Sequence, residues 1–145
     1  MQVSLRGILS SDIPAIARLE CECFALPWAE KEIVSAFSRA DFCGVVAQVD
    51  DQIVGYLLGL TLFEDAEILR IAVAKELRGR KLGGAILDRF FEIVRARGVE
   101  RMFLEVRISN LPALRLYESR GFTRGRVRDK YYENGEAAIE MYKIL

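Results

Sequence analysis

The sequence predicts an α/β (α+β) fold, a mixed central β-sheet of six to seven strands flanked by about four helices. Three observations lead there. Apolar residues recur at helical spacing in four windows and gather into six short strand-like runs. The runs Cys43–Val49, Ile53–Phe63 and Glu67–Val73 are separated by only a few turn residues, which suits antiparallel hairpins. The strand ending at Val73 is followed by a helix and another strand, the pattern of a right-handed crossover that sets strands 66–73 and 101–106 side by side and parallel. A sheet of this mixed kind is covered by helices on both faces.

Each element has a local reason. Asp12 (or Ser11) caps a first helix over 12–23, with Pro14 in its first turn and Ile13, Ile16, Leu19 and Cys23 on one face. Pro27-Trp28 interrupts the chain before a short helix over Lys31–Phe37. Asp50-Asp51-Gln52 turns the first hairpin, and Gly55 and Gly59 mark bulges or close packing in the long apolar strand that comes next. A helix over Leu82–Arg97 is closed by Gly98. Asn110 can cap a helix from Pro112 to Arg120, ended by Gly121, and two last strands, 122–127 and 137–143, flank an Asn134-Gly135 turn.

The 145 residues, 52% hydrophobic and 29% charged, suit a single domain over 1–145 with a core large enough to need no metal or disulfide. No apolar run approaches the length of a membrane span, and the start lacks the pattern of a signal peptide. The expectation is a cytoplasmic monomer with reduced thiols at Cys21, Cys23 and Cys43 and no metal. Cys21-x-Cys23 reads as helix packing rather than redox or metal chemistry. The net charge of zero hides an asymmetry: residues 70–130 hold 16 Lys/Arg against 7 Asp/Glu, and the remainder 5 against 14. That basic segment suits a phosphorylated ligand, an acidic partner or a solvated face, and no direct nucleic-acid role is expected. With no histidine in the chain, Ser-His and Cys-His nucleophiles and His-ligated zinc are excluded.

The loop Ala74-Lys75-Glu76-Leu77-Arg78-Gly79-Arg80-Lys81-Leu82-Gly83-Gly84 lies between a strand's C-terminal end and a helix N-terminus, where backbone N–H groups receive anions. Its spacing is neither that of a P-loop nor that of a dinucleotide fold, so it suits pyrophosphate or is a basic glycine-rich connection.

The run Ile71–Leu87 resembles the acetyl-CoA-binding motif of the GNAT N-acetyltransferases, with Arg78 and Gly83 in place and Lys81 standing where the family has its middle glycine. A side chain there either tolerates a right-handed backbone, its ammonium neutralising a phosphate, or crowds the loop. A second block, Leu104-Glu105-Val106-Arg107-Ile108-Ser109-Asn110 with Ala113 and Leu116-Tyr117-Glu118-Ser119-Arg120-Gly121-Phe122, is similar to the bacterial ribosomal-protein-alanine N-acetyltransferases, the RimI type. Phe24-Ala25-Leu26-Pro27-Trp28 and Arg128-Asp129-Lys130-Tyr131-Tyr132 extend the likeness to residues 5–143, with departures at Ala29 and Ala137.

The resemblance implies acetyl transfer from acetyl-CoA to the N-terminal α-amine of a protein, namely the N-terminal alanine of a small-subunit ribosomal protein. The alternatives are a broader N-terminal or lysine acetyltransferase and a non-catalytic CoA- or RNA-binding module. By the same resemblance Glu105 is the base, acting through a water, and Tyr117 the acid. Ile71, Ala72, Val73, Arg78, Gly79, Arg80, Lys81, Leu82, Gly83, Gly84 and Asn110 would bind the cofactor; Phe24, Trp28, Tyr131 and Tyr132 would line the acceptor groove. Apart from the resemblance, Glu105 reads as a strand-end partner of Arg107 or another arginine. Tyr117 reads as a core aromatic, Asn110 as a helix cap, Tyr131 and Tyr132 as hairpin packing, and Phe24 and Trp28 as a staple between the first two helices.

Overall fold

The computed structural model describes residues 2–145. Seven strands form one sheet: β1 (Val3–Gly7), β2 (Phe42–Val49), β3 (Gln52–Leu62), β4 (Asp65–Val73), β5 (Arg101–Arg107), β6 (Thr123–Arg128) and β7 (Ala138–Ile144). Their spatial order is β1-β2-β3-β4-β5-β7-β6, antiparallel throughout except that β4 runs parallel to β5. The four helices are α1 (Ile13–Cys23), α2 (Glu30–Phe37), α3 (Leu82–Ala96) and α4 (Leu111–Ser119). The expected crossover is present, running from β4 through α3 to β5. None of the described helices is long and apolar enough to cross a membrane.

The two sheet faces can be told apart from β3. Cβ atoms at Gly55 and Gly59 would stand 2.9 Å from Ile86 Cδ1 and 2.7 Å from Phe90 Cζ, so these glycines let α3 lie close against one face. From the other face the Tyr56 hydroxyl reaches Glu20 of α1. The apolar face of α3, with Ile86, Leu87, Phe90 and Val94 fully buried, packs on strands whose Val45, Val46, Leu57 and Leu58 are also fully buried. Each such side chain contributes roughly 1.5–3 kcal/mol by leaving water. Gly98 and Gly121, both at positive φ, end α3 and α4 as read from the sequence.

Three local expectations are corrected. The strand β1 was not among the expected elements. It is a five-residue edge strand held by pairing with β2, about forty residues away, rather than by any local signal. Asp12 does not cap α1: its carboxylate turns back to accept the Leu9 N–H at 2.7 Å and both terminal nitrogens of Arg6 at 2.8 and 2.9 Å. Lys81 is not right-handed; as the residue before α3 it has φ 62° and ψ 20°, the left-handed region that a glycine adopts without a Cβ penalty.

Two irregularities in β4 open a gap in the sheet and set which side chains face it. Leu58 pairs with Arg70 but Gly59 pairs with Ile68, so Leu69 is an extra residue and the strand's alternation shifts there. Glu67, opposite Leu60, and Arg70, opposite Leu58, therefore point to the same face, that of α1. In addition, β4 and β5 pair only from Asp65↔Arg101 to Ile68↔Leu104. Beyond that point the strands part.

Candidate functional site

Where β4 leaves β5, its edge from Arg70 to Val73 pairs with β3 on one side and with no strand of the described residues on the other. Main-chain N–H and C=O groups on that open side need partners, so the splay is a ready seat for an extended ligand. Two cavities that share lining residues occupy it.

The first cavity, about 560 Å³, is lined by Ile71, Ala72, Val73, Leu77, Arg78, Gly79, Lys81, Leu82, Gly83, Gly84, Asn110 and Leu116, among others. The residues expected to hold phosphates are brought together at the N-terminus of α3, except Arg80, which is exposed and not part of the lining. Left-handed backbone at Gly79 (φ 81°) and Lys81 curls the loop around the helix start, where unsatisfied N–H groups and the helix dipole favour an anion. Arg78 is partly tied back, its Nε donating to the Val73 carbonyl at 3.1 Å. The Cys23 thiol donates to the same carbonyl at 3.6 Å; Cys21 is exposed and Cys43 buried.

The second cavity, about 520 Å³, lies on the α1 side of the sheet. Its walls are Phe24, Leu26 and Trp28 from the loop after α1, Glu67 to Ile71 from β4, Glu105 to Arg107 from β5, Tyr117 from α4, and Tyr131 to Glu133 from the loop before β7. Phe24, Ile71, Asn110 and Ala113 line both cavities and mark their junction. Asn110 also caps α4, its side chain accepting the Ala113 N–H at 3.2 Å.

Glu105 does not pair with Arg107. Arg107 instead stacks 3.9 Å over the Tyr132 ring, donates to Asn134 at 3.2 Å and stands 3.6 Å from Glu136. One oxygen of Glu105 stands 3.8 Å from Arg128, a long contact, and the other is buried with no hydrogen-bond partner among the described residues. An acceptor oxygen in that condition is costly unless something donates to it. Tyr117 is 5% exposed and packs edge-on against Phe122, and burial pushes its pKa well above the ordinary phenol value. It therefore keeps its proton through neutral pH. Tyr131 and Tyr132 meet edge to face at 5.1 Å. The Glu105 carboxylate raises the pKa of Tyr131, and burial raises that of Tyr132.

Sequence reasoning missed three charged residues here. Glu67 shares the face and the cavity with Glu105; burial first, and then the Glu105 charge, raise its pKa. Glu20 is completely buried beneath the wall, and Arg70 lies between Phe24 and Trp28, 3.9 and 5.4 Å from the two ring centres. A charged residue in an apolar helical face was a usable signal for Glu20. Arg70 carried none, because only the bulge at Leu69 turns it towards this face.

The family profile described as the acetyltransferase (GNAT) family matches residues 13–122. An uncharacterized N-acetyltransferase of Methanocaldococcus jannaschii is 36% identical, covering 96% of this chain and 90% of its own length. The [ribosomal protein bS18]-alanine N-acetyltransferase of Salmonella typhimurium is 31% identical, covering 90% and 88%. The crystal structure of the ribosomal-protein-S18-alanine N-acetyltransferase from Escherichia coli is similar over 99% of this chain and 94% of that one, with a TM-score of 0.92 and 29% identity.

Proposed function

Because the chain belongs to the acetyltransferase (GNAT) family, we propose that it transfers acetyl from acetyl-CoA to the N-terminal α-amine of a protein, and specifically to the N-terminal alanine of a small-subunit ribosomal protein. Residues 1–145 act as one catalytic domain in the cytoplasm. The observation that carries this reading is the junction of the two cavities at the β4 splay, with a phosphate-suited loop at one end and a wall of aromatics and carboxylates at the other. The acceptor reading is supported by the names of two similar bacterial enzymes, both called ribosomal protein alanine acetyltransferases.

Acetyl-CoA supplies an activated acetyl group and a thiolate leaving group. The residues of the first cavity suit it: the loop 78–84 and the start of α3 would take the pyrophosphate, and the open edge at Ile71–Val73 the extended arm. An N-terminal amine with a pKa near 8 is about 10% neutral at pH 7, whereas a lysine amine starts more than two units higher, so an α-amine asks less of its base. Glu105, through a water, would take the amine proton as nitrogen bonds to the acetyl carbon. A main-chain N–H of the β4 edge would polarise the carbonyl oxygen. Tyr117, held protonated by burial, would give its proton to the departing sulfur as the C–S bond breaks. Phe24, Trp28, Tyr131 and Tyr132 would hold the acceptor's first residues.

The test is mass spectrometry of an alanine-starting peptide of the ribosomal protein incubated with enzyme and acetyl-CoA, beside a copy with a blocked N-terminus and free lysines. A 42 Da gain confined to the free N-terminus is the expected result. Modification of the blocked copy would move the acceptor to lysine, and no product on either would overturn the acceptor.

A further inference from the structure

Glu20 lines neither of the two cavities, yet among the described residues it is the most completely satisfied buried charge. Its carboxylate accepts from Arg70 Nε at 3.0 Å, Arg70 Nη2 at 2.6 Å, the Tyr56 hydroxyl at 2.7 Å and the Trp28 main-chain N–H at 2.9 Å. Burial works to raise its pKa; the donors from Arg70, Tyr56 and Trp28 more than offset this and hold it below the ordinary carboxylate range. Stability does not by itself explain such a group, since a buried ion pair and a well-packed apolar replacement are often equal in stability.

What the network does uniquely is hold the loop after α1. Among the described residues, Ala25 to Trp28 make no main-chain to main-chain hydrogen bond. Their anchors are side chains: Glu20 takes the Trp28 N–H, and Arg70 Nη2 reaches the Leu26 carbonyl at 3.5 Å. The same guanidinium stacks on Phe24 and approaches Trp28, so it is fixed by Glu20 on its edge and by aromatic rings on its faces. One buried carboxylate thus ties strand β4 to the three apolar residues of the second cavity's outer wall.

We propose that Glu20 is a positioning residue for acceptor recognition: through Arg70 and the Trp28 N–H it fixes the Phe24–Trp28 wall against β4. That the wall meets the acceptor rests on the function proposed above; the latch itself does not. Trp28 is the only tryptophan of the chain, so its fluorescence reports the wall without any acceptor present.

The experiment compares wild type, Glu20→Gln and Arg70→Lys by acrylamide quenching of Trp28, by acetyl-CoA affinity, and by steady-state kinetics on the alanine-starting peptide. Arg70→Lys keeps a cation for the carboxylate but loses the two-pronged contact and the stacking, and it decides the matter if Glu20→Gln does not fold. Expected is at least a twofold rise in the quenching constant and about a tenfold rise in acceptor KM, with acetyl-CoA affinity within twofold of wild type. In a Trp28→Ala background the effect of Glu20→Gln on KM should shrink, because the two act through one wall. A lower Tm with quenching and KM unchanged overturns the proposal, as do effects of Glu20→Gln and Trp28→Ala that simply add. Failure of the wild type to acetylate the peptide overturns the acceptor reading alone, and the quenching result still judges the latch.

Discussion

Glu67 and Glu105 stand on the same face of neighbouring parallel strands, Glu67 directly opposite Phe103 and Glu105 two residues further along. The Glu105 charge is one of the causes that hold the Glu67 carboxyl above its usual range, after burial. A site with two neighbouring carboxylates attracts a cation, and an acceptor amine arrives as one.

On the proposed mechanism, replacing Glu105 is expected to be severe. Glu105→Gln should lower kcat by roughly 10²–10⁴ with acetyl-CoA affinity unchanged, and the deficit should narrow between pH 7 and 9 as the amine loses its proton unaided. Glu67→Gln should chiefly raise acceptor KM. Steady-state kinetics across pH checks both, and a Glu105→Gln enzyme with wild-type kcat at pH 7 would remove that residue from the mechanism.

Tyr117 should impose no alkaline limit. An ordinary tyrosine titrates near 10 and burial moves this one upwards, so the acid form persists throughout the working range. The kcat profile should stay level from pH 8 to 9.5, while Tyr117→Phe lowers kcat across that range. A falling limb centred below pH 9.5 that vanishes in Tyr117→Phe would contradict the assignment.

Lys81→Gly should separate two properties of one residue. Left-handed backbone costs a residue with a Cβ about 1–2 kcal/mol, partly offset by the extra freedom glycine gives the unfolded chain, so the variant should gain about 0.5–1 kcal/mol in stability. The lost ammonium should weaken acetyl-CoA binding severalfold at low salt and less at high salt. Calorimetry at two ionic strengths decides; tighter binding by the variant would mean that the side chain crowds the loop.

Acid should unfold the protein through Asp12 and Glu20. Hydrogen bonds from Arg6 depress Asp12, and the donors around Glu20 outweigh its burial, so both have folded pKa values below their unfolded ones. Their stabilisation is complete above the unfolded values, near pH 4, and is lost as pH falls through the folded ones. Glu67, raised in the fold, acts in the opposite sense: its contribution is full below the unfolded carboxylate value and is lost as pH rises through the folded one. With no histidine, Tm should be level from pH 6 to 8 and drop below pH 4; Arg6→Met should lower Tm at neutral pH and make that acid drop smaller, because Asp12 then loses the partner that depresses its pKa.

Much of this architecture was legible because it is local. The amphipathic stripe of α3, the glycines closing α3 and α4 and the Asn110 cap are written within a few residues of where they act. What escaped depends on partners that no helix or strand pattern reveals. Strand β1 exists because β2 offers it an edge, and Asp12 turns from α1 because Arg6 is near. Arg70 joins the site because one extra residue at Leu69 changes which way β4 faces. Lys81 shows the limit differently: the loop and the helix behind it set the backbone there, against the residue's own preference.

The parting of β4 from β5 divides the labour between main chain and side chains. At Ile71–Val73 a ligand would be read by amide groups that every residue carries, so those positions can drift while their volume suits the core behind them. Across the junction, the wall is built of particular side chains, and changing them changes what is admitted. A fold of this kind can keep one donor over long descent while being retuned, residue by residue, to new acceptors.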